Sequence, residues 1–416
     1  MTSLADLYFH PEPERVLAAL RADEPFLRLD DGRILVSRPV DVAALLADRA
    51  CVTEFPSHRA ARRGRRGALA DSVARALLSR EPPVHTDLRR ALADLYAAPA
   101  VAGRREYVRQ VCRELLADLQ PTDDLVRVLA GPLPYRVNCH LVGLTDRELD
   151  EVLPWIRRLE AAAHHPDPET IRAANDAVRG FRRYLAELLA APESLPADSV
   201  LRRLTGLLTG SSLDELDVLD NVKALFFAGA EETTALTAGA LARALARREA
   251  GQPVDPDALV EEIVRRQPPI RHALRWTTED VTCPSGIVAA GQVVLLSLTS
   301  AAHGQLDSTA SGPSPRGTLS FGRGRHKCLG EHLARLQAGV AVAELLALPY
   351  RVVAVDAGAP LRSTELQGLG TLPVRVDTEP CHGESAVPHP TSARTAQPAA
   401  PYRVAEPPEG GANGSR

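Results

Sequence analysis

Hydrophobic positions recur every three to four residues over most of the chain. The pattern runs from about residue 39 to 265, in segments such as YVRQVCRELLADL and NVKALFFAGAEETTALTAGALARALA, and it returns at roughly 330–348. This spacing puts apolar side chains on one face of a helix. It therefore predicts many helices, separated by proline-bearing loops such as REPPV and HHPDPE.

Shorter segments have the pattern of strands instead. Residues 25–37 place two apolar runs around Asp-Asp-Gly, which indicates a hairpin, and residues 275–300 and 350–376 carry further strand-like runs. The folded part, residues 1–378, is therefore predicted to be mainly α with small β-sheets. Residues 379–416 hold seven prolines and four glycines and few large apolar side chains. They cannot bury enough surface to offset the entropy of ordering, so they are predicted to be a disordered tail.

Composition narrows the class of function. The 416 residues are 45% hydrophobic and 25% charged, and a net charge of −4 gives no basic field for nucleic acid. Six cysteines show no Cys-x-x-Cys spacing, which argues against a zinc or disulfide framework. The N-terminal segment has acids and prolines where a signal peptide is apolar, and no stretch approaches the ~18 apolar residues of a membrane span. We expect a cytoplasmic protein with no nucleic-acid or membrane partner.

The strongest candidate for chemistry is a loop with one cysteine, FGRGRHKCLG at residues 321–330. Four cations surround Cys328 in sequence, and a helix pattern follows at once. Both features favour the thiolate form of the cysteine, and the glycines allow positive φ or a close approach to a flat ligand. Such a thiolate suits either a nucleophile or a ligand for a soft metal ion.

This loop resembles the cysteine-ligand loop of cytochrome P-450, the haem-thiolate monooxygenase family, whose pattern is Phe-x-x-Gly-x-His-x-Cys-x-Gly. The matching positions are Phe321, Gly322, Gly324, His326, Cys328 and Gly330. The resemblance implies a single large domain that binds haem b, with Cys328 as the axial iron ligand whose thiolate favours O–O cleavage. It covers about residues 30–378.

A weaker match concerns the distal helix of the family, Ala-Gly-x-Glu-Thr-Thr. Residues 226–234, FFAGAEETT, fit it in two ways. The ungapped alignment makes Glu232 the acid and Thr233 the alcohol, and places Ala230 at the usual glycine beside the haem. Sliding by one residue restores Gly229 and moves Glu232 to the alcohol position. We prefer the first alignment, so Glu232 and Thr233 are the predicted catalytic proton relay.

Two further matches concern the surroundings of the haem. Glu262 and Arg265 resemble the Glu-x-x-Arg pair that braces its proximal side, and EPPVHTDLRR, residues 81–90, resembles a propionate-binding segment. By resemblance the propionates are held by His85, Arg89, Arg275 and His326. The chain departs from the family in residues 300–322, SAAHGQLDSTASGPSPRGTLSFG, which lack the Asn-Arg-Asp-Pro segment. Only Arg316 is near enough to replace the arginine that normally joins the Glu-x-x-Arg pair.

The resemblance implies a monomeric monooxygenase. It would insert one oxygen atom from O2 into a small or medium organic metabolite, by hydroxylation or epoxidation, in secondary-metabolite biosynthesis. The chain has no dinucleotide or iron–sulfur motif, so an acidic ferredoxin or flavodoxin is the expected electron donor. Five arginines, Arg59, Arg62, Arg63, Arg65 and Arg66, could steer an acidic substrate or a substrate on an acidic carrier protein, although a solvated basic loop also explains them.

Other functions remain open. The altered segment before the cysteine loop is compatible with atypical haem-thiolate chemistry, namely peroxide-driven oxidation, oxidative coupling or rearrangement. A non-catalytic haem-binding or recruitment module is a second alternative, against which the Glu232/Thr233 pair argues. A cysteine hydrolase using Cys328 and His326 is a poor alternative, because residues two apart in an extended loop point to opposite sides.

Overall fold

Most of the chain is helical, as the spacing of apolar residues predicts. The computed structural model describes residues 2–62, 67–209, 213–306 and 317–377. In chain order the α-helices of this part are α1 (Leu4–Tyr8), α2 (Pro13–Asp23), α3 (Pro39–Ala47), α4 (Pro56–Ala61), α5 (Ala68–Arg75), α6 (Val84–Tyr96), α7 (Ala98–Gly103), α8 (Arg105–Leu116), α9 (Pro132–Val142), α10 (Asp146–His164), α11 (Pro168–Leu189), α12 (Val200–Thr205), α13 (Glu215–Ala228), α14 (Glu231–Glu249), α15 (Pro256–Arg266), α16 (Leu298–Leu306) and α17 (Glu331–Leu346). A π-helical turn lies at Val126–Ala130, and 3₁₀ turns lie at Leu77–Ser79, Pro192–Ser194, Gly206–Leu208 and Gly324–His326.

Three small sheets complete the described fold. The strands are β1 (Phe26–Arg28), β2 (Ile34–Val36), β3 (Cys51–Val52), β4 (His272–Thr277), β5 (Val281–Cys283), β6 (Gly286–Val288), β7 (Val293–Ser297), β8 (Arg351–Ala354) and β9 (Val374–Asp377). The largest sheet has the order β1-β2-β7-β4-β3, and β5–β6 and β8–β9 form two-stranded sheets. The β1–β2 hairpin confirms the predicted turn, where Gly32 has a φ of 84°. The predicted class, mainly α with small sheets, is confirmed.

One helix was not predicted. The apolar run after residue 293 indicated a strand up to about residue 300, but α16 begins at Leu298. The Ser297 hydroxyl accepts a hydrogen bond from the Ser300 N–H at 3.1 Å, and the Arg271 carbonyl accepts the Leu298 N–H at 2.8 Å. A serine that caps free N–H groups starts a helix even within an apolar run, because it satisfies donors that the strand would leave unpaired.

Helices α13 and α14 follow one another with a break at Gly229 and Ala230, and the two helices together are called the rod. At the interruption, Asn138 of α9 donates its amide to the Phe226 carbonyl at 3.5 Å. A Cβ on Gly229 would lie 2.7 Å from Asn138 Nδ2, so only glycine leaves room for this side chain. The rod packs against α15 and α17. It therefore packs against the helix that directly follows the loop carrying Cys328.

Several predictions fall outside the described residues. These are the tail at 379–416, the arginines Arg63, Arg65 and Arg66, and Arg316 of the altered segment. Within the described ranges, no helix combines the length and the apolar character that a membrane crossing needs.

Candidate active site

The cysteine loop is closed by its own backbone. The Cys328 N–H donates to the Phe321 carbonyl at 2.8 Å, and the Lys327 N–H donates to the Gly324 carbonyl at 3.1 Å. Gly324 has a φ of 74°, and a Cβ there would meet the Leu46 carbonyl oxygen at 2.6 Å. A side chain is excluded at Gly324 both by this contact and by its left-handed backbone. The motif glycine thus holds the loop against the end of α3.

Cys328 is exposed, yet it lies among protein atoms. Burial by these atoms, followed by smaller effects that include the charges of Glu232 and Glu331, raises the pKa of its thiol to about 11. The sulfur therefore faces a space within the fold. The prediction that nearby cations favour the thiolate is wrong for the chain by itself, because burial outweighs them. Arg325 is in addition paired with Glu81, and Lys327 with Glu331. A bound cation would have to displace the thiol proton.

The donor set around Cys328 restricts what it can bind. The described residues contain no group of three or more His, Cys, Asp or Glu side chains that could hold a metal ion. One sulfur alone does not complete the coordination of a protein-bound metal. A metal that brings its other ligands with it, as in a porphyrin, is compatible with this donor set among the described residues.

Basic side chains with no acidic partner among the described residues lie close to the cysteine loop. The buried His85 ring lies 4.4 Å from the His326 ring, and His85 Nε2 has no hydrogen-bond partner. Burial, followed by the charge of His326, lowers the pKa of His85 to about 4. Arg275 is also buried and its Nε has no partner, and burial lowers its pKa to about 10. Arg89 forms no ion pair with any described residue. These donors are suited to carboxylates that the chain itself does not supply.

His326 has a different environment, which the sequence analysis did not anticipate. Its Nε2 lies 3.0 Å from Glu81 Oε1, and the same oxygen accepts the Thr53 N–H at 2.8 Å. Arg325 Nη1 lies 2.8 Å from the other Glu81 oxygen. Burial opposes ionisation of Glu81, but the His326 hydrogen bond and the further donors outweigh it and lower the pKa of the carboxyl to about 2. Glu81 therefore ties the cysteine loop to the start of α6. The position of Glu81 at the start of the EPPVH segment was the sequence feature that could have indicated this contact.

The rod carries a buried acidic side chain, Glu232, in the first turn of α14. Glu232 Oε2 is buried without a hydrogen-bond partner, and burial raises the pKa of this carboxyl to about 8. Its neighbour Glu231 turns away and lies 2.7 Å from His164 Nε2 on α10. Thr233 is buried on the next position of α14, and Ala230 is fully buried at the interruption. The charge of Glu232 also contributes to the raised pKa of the Cys328 thiol, so the two side chains lie within electrostatic range of each other.

The predicted brace is not formed. Glu262 pairs with Arg247 and lies 3.1 Å from Arg243, both on α14. Arg265 is exposed, and among the described residues it donates only to the Glu261 carbonyl, at 3.2 Å. The prediction of a Glu262–Arg265 pair is therefore wrong. Residues three apart on α15 share a face only approximately, and the α14 arginines reach Glu262 first.

Comparison with known proteins decides the family. No family model matches the chain. It is 31% identical over 362 residues to mycinamicin IV hydroxylase/epoxidase of Micromonospora griseorubida, a match that covers 82% of this chain and 88% of that protein. The chain belongs to the cytochrome P-450 superfamily. This P-450 is also 29% identical over 384 residues to erythromycin C-12 hydroxylase of Saccharopolyspora erythraea, covering 88% of this chain and 94% of that protein.

Solved structures agree on the fold. One is a P-450 in complex with an acyl carrier protein ligated to hexadec-9Z-enoic acid, with a TM-score of 0.76 and 22% identity, covering 90% of this chain and all of that one. At that identity the likeness shows the fold alone. The present P-450 is a monooxygenase with haem b as its cofactor. Its described residues fit haem, because the cysteine loop offers one sulfur donor and His85 and Arg275 offer unused hydrogen-bond donors for the propionates.

Proposed function

We propose that this P-450 hydroxylates or epoxidises a small or medium organic metabolite of a secondary pathway, with Cys328 as the axial iron ligand. The observation that carries this is the glycine-closed loop that holds Cys328, together with a buried, unpartnered acid on α14, Glu232, whose charge reaches the Cys328 thiol. Hydroxylation or epoxidation is the activity in the printed names of two relatives. Haem, when bound, activates O2 and supplies the oxygen that is inserted.

The experiment has two stages. The purified protein is reduced and exposed to carbon monoxide, and we expect the absorption band that names the family. It is then given a ferredoxin, its reductase, reduced nicotinamide and isotopically labelled O2 with a panel of macrolide and polyketide substrates. Labelled oxygen in a product supports the proposal. Absence of the band contradicts ligation by Cys328, and unlabelled product contradicts oxygen insertion from O2.

The propionates are proposed to lie against His85, Arg89 and Arg275, with His326 held beside them by Glu81. Phe321, Gly322 and Gly330 would shape the proximal loop beneath the ring, and Ala230 would leave room above it. The support is the unused donors on His85 and Arg275 and the lack of an ion-pair partner for Arg89.

Arg89 and its neighbour provide a matched test of this arrangement. We expect Arg89→Leu to release haem to an acceptor globin faster than the parent, by about tenfold, because a buried charge pair with a propionate is lost. Arg90→Leu is the control, since Arg90 is 75% exposed and pairs only with Asp87. Equal release rates for the two variants would contradict the assignment. The measurement is the decay of the haem absorption band in the presence of excess acceptor.

Glu232 is proposed to hold and deliver the proton that the oxygen chemistry consumes. With a pKa of about 8, the carboxyl is neutral and can donate at neutral pH. Thr233, buried on the same turn of α14, is proposed to relay protons together with Glu232. Glu231 is occupied by His164, so it does not compete for this position.

Two protein partners are proposed. An acidic ferredoxin or flavodoxin would dock beside the cysteine loop, where Arg323 is exposed and Lys327 is half-exposed. An acidic carrier protein would present the substrate near Arg59, whose side chain is 69% exposed although its Nε lies 3.7 Å from Glu54, the acid that also binds Arg62. The carrier proposal is supported by the carrier-bound P-450 of the same fold. Binding of a loaded carrier protein that does not weaken with added salt would contradict it.

Peroxide-driven oxidation is a second candidate, favoured by the position of Glu232. One oxygen atom of hydrogen peroxide would enter a substrate C–H bond and the other would leave as water, so no external electrons are needed. A carboxyl group beside the oxygen can carry the proton from one peroxide oxygen to the other. Turnover with ferredoxin and reductase but none with peroxide would exclude this candidate.

A further inference from the structure

The cysteine loop is braced by residues that the Glu-x-x-Arg pattern does not include. Helix α15 presents two adjacent acids, and only the second belongs to that pattern. Glu262 is engaged by arginines of α14, and Arg265 reaches no carboxylate. The first acid, Glu261, instead pairs with Arg335 of α17, the helix that follows Cys328. The link between α15 and the proximal side is therefore made through Arg335.

Arg335 contacts three parts of the proximal side at once. Besides Glu261, its Nη1 lies 3.2 Å from the carboxylate of Glu331 and 3.4 Å from the Glu331 carbonyl, in the first turn of α17. Its guanidinium carbon lies 4.3 Å from the centre of the Phe321 ring. The side chain is 23% exposed, so these contacts are only partly screened by water.

The position of Phe321 affects the position of the Cys328 sulfur. The Phe321 carbonyl accepts the Cys328 N–H at 2.8 Å, so a shift of Phe321 moves the backbone of the ligand residue. The preceding residue, Ser320, donates its hydroxyl to the Val264 carbonyl of α15. The loop is thus attached to α15 by a hydrogen bond at Ser320 and, through the stacked guanidinium, by the ion pair of Glu261.

We propose that Arg335 is the positioning residue of the cysteine loop and takes the place of the Glu262–Arg265 brace. It fixes the ring of Phe321 and so keeps Cys328 oriented as a thiolate ligand. The proposal depends on the ligation by Cys328 proposed above. It accounts for a chain in which the segment that usually supplies the arginine partner is altered, since Glu261 and Arg335 both lie outside residues 300–322.

The test compares Arg335→Gln with Arg265→Gln, two arginines of the same proximal region. The readout is the reduced, carbon-monoxide-bound spectrum, in which a thiolate ligand and a neutral thiol give separate bands, together with the midpoint potential of the haem. We expect the thiolate band of Arg335→Gln to decay to the neutral-thiol band about tenfold faster than in the parent. Arg265→Gln should decay at the parent rate. Arg335→Lys should be intermediate, because it keeps the charge but loses the planar stacking surface.

A second pair of variants covers the case in which Arg335→Gln fails to fold. Glu261→Gln leaves the guanidinium in place but removes its ion pair with α15, and Glu262→Gln is its control on the same helix. We expect faster loss of the thiolate band for Glu261→Gln alone. Parent-like decay in both Arg335→Gln and Glu261→Gln would overturn the proposal, as would equal acceleration in Arg265→Gln or Glu262→Gln. A parent protein without any thiolate band would instead refute the proposed ligation.

Discussion

Replacing Cys328 by serine is expected to abolish the thiolate band of the reduced, carbon-monoxide-bound protein, and the monooxygenase turnover with it. Cys328 is the one sulfur that the cysteine loop presents to the interior space, and the described residues offer no metal-binding cluster that could replace it. A serine hydroxyl is a weaker donor to iron and keeps its proton, so the electron donation that favours O–O cleavage is lost. The measurements are the reduced difference spectrum and product formation with the ferredoxin system.

The matched control is Cys283→Ser. Cys283 is buried on β5, and its sulfur donates to the Gly286 carbonyl at 3.3 Å, a contact that a hydroxyl can also make. Burial raises the pKa of Cys283 to about 11, so it is a thiol at neutral pH. We expect the spectrum and turnover of this variant to match those of the parent. A Cys328→Ser protein that retains the thiolate band would show that another cysteine binds the iron.

Replacing Glu232 by glutamine is expected to slow product formation by about a hundredfold, the range attributed to a positioned proton donor. The amide has nearly the same shape but cannot donate a carboxyl proton. In the parent, turnover should decline as the pH rises through about 8, where the Glu232 carboxyl loses its proton. The variant should show no such decline. The measurement is the pH profile of product formed per electron consumed, which separates proton delivery from electron supply.

The same substitution has a consequence for stability. Burial raises the pKa of Glu232 from 4.5 to about 8, so the folded state binds a proton that the unfolded state has released. This contribution to stability is fully present below pH 4.5 and is lost as the pH rises through about 8. Glu232→Gln should therefore gain stability relative to the parent above pH 8, as measured by urea unfolding at several pH values.

Glu231→Gln is the control for both effects. Glu231 lies one residue away but is paired with His164 on α10. We expect its product yield to fall much less and its pH profile to keep the decline above about 8. A larger loss in Glu231→Gln than in Glu232→Gln would mean that the acid next to His164 is the proton donor.

The sequence was most informative where local chemistry determines structure. The helical spacing, the Asp-Asp-Gly hairpin and the glycines of the cysteine loop each act within a few residues, and the structure contains each of them. The loop at Gly324 is an example, because its φ of 74° and its contact with Leu46 leave room for no side chain. The family followed from the same short motif.

The sequence was less informative where partners are distant in the chain. Glu262 and Arg265 have the expected spacing, but α14 arginines that are about fifteen to twenty residues earlier compete for the acid. Glu81 and His326 are 245 residues apart, and nothing in either segment specifies their contact. The ion pairs of Arg325 with Glu81 and of Lys327 with Glu331 likewise form only in the folded chain. Their proximity in sequence suggested a thiolate, whereas their ion pairs and the burial of the sulfur favour the thiol.

The Lys327–Glu331 contact beside the cysteine loop has a practical consequence for chemical labelling. The chain has only two lysines, and the other one, Lys223, is 6% exposed within α13. Lys327 is 46% exposed, so among the described amines it is the one that an acylating dye or cross-linker can reach. A fluorophore attached at Lys327 would lie one residue from Cys328 without engineering of the protein, and it would report on an electron donor that approaches that face.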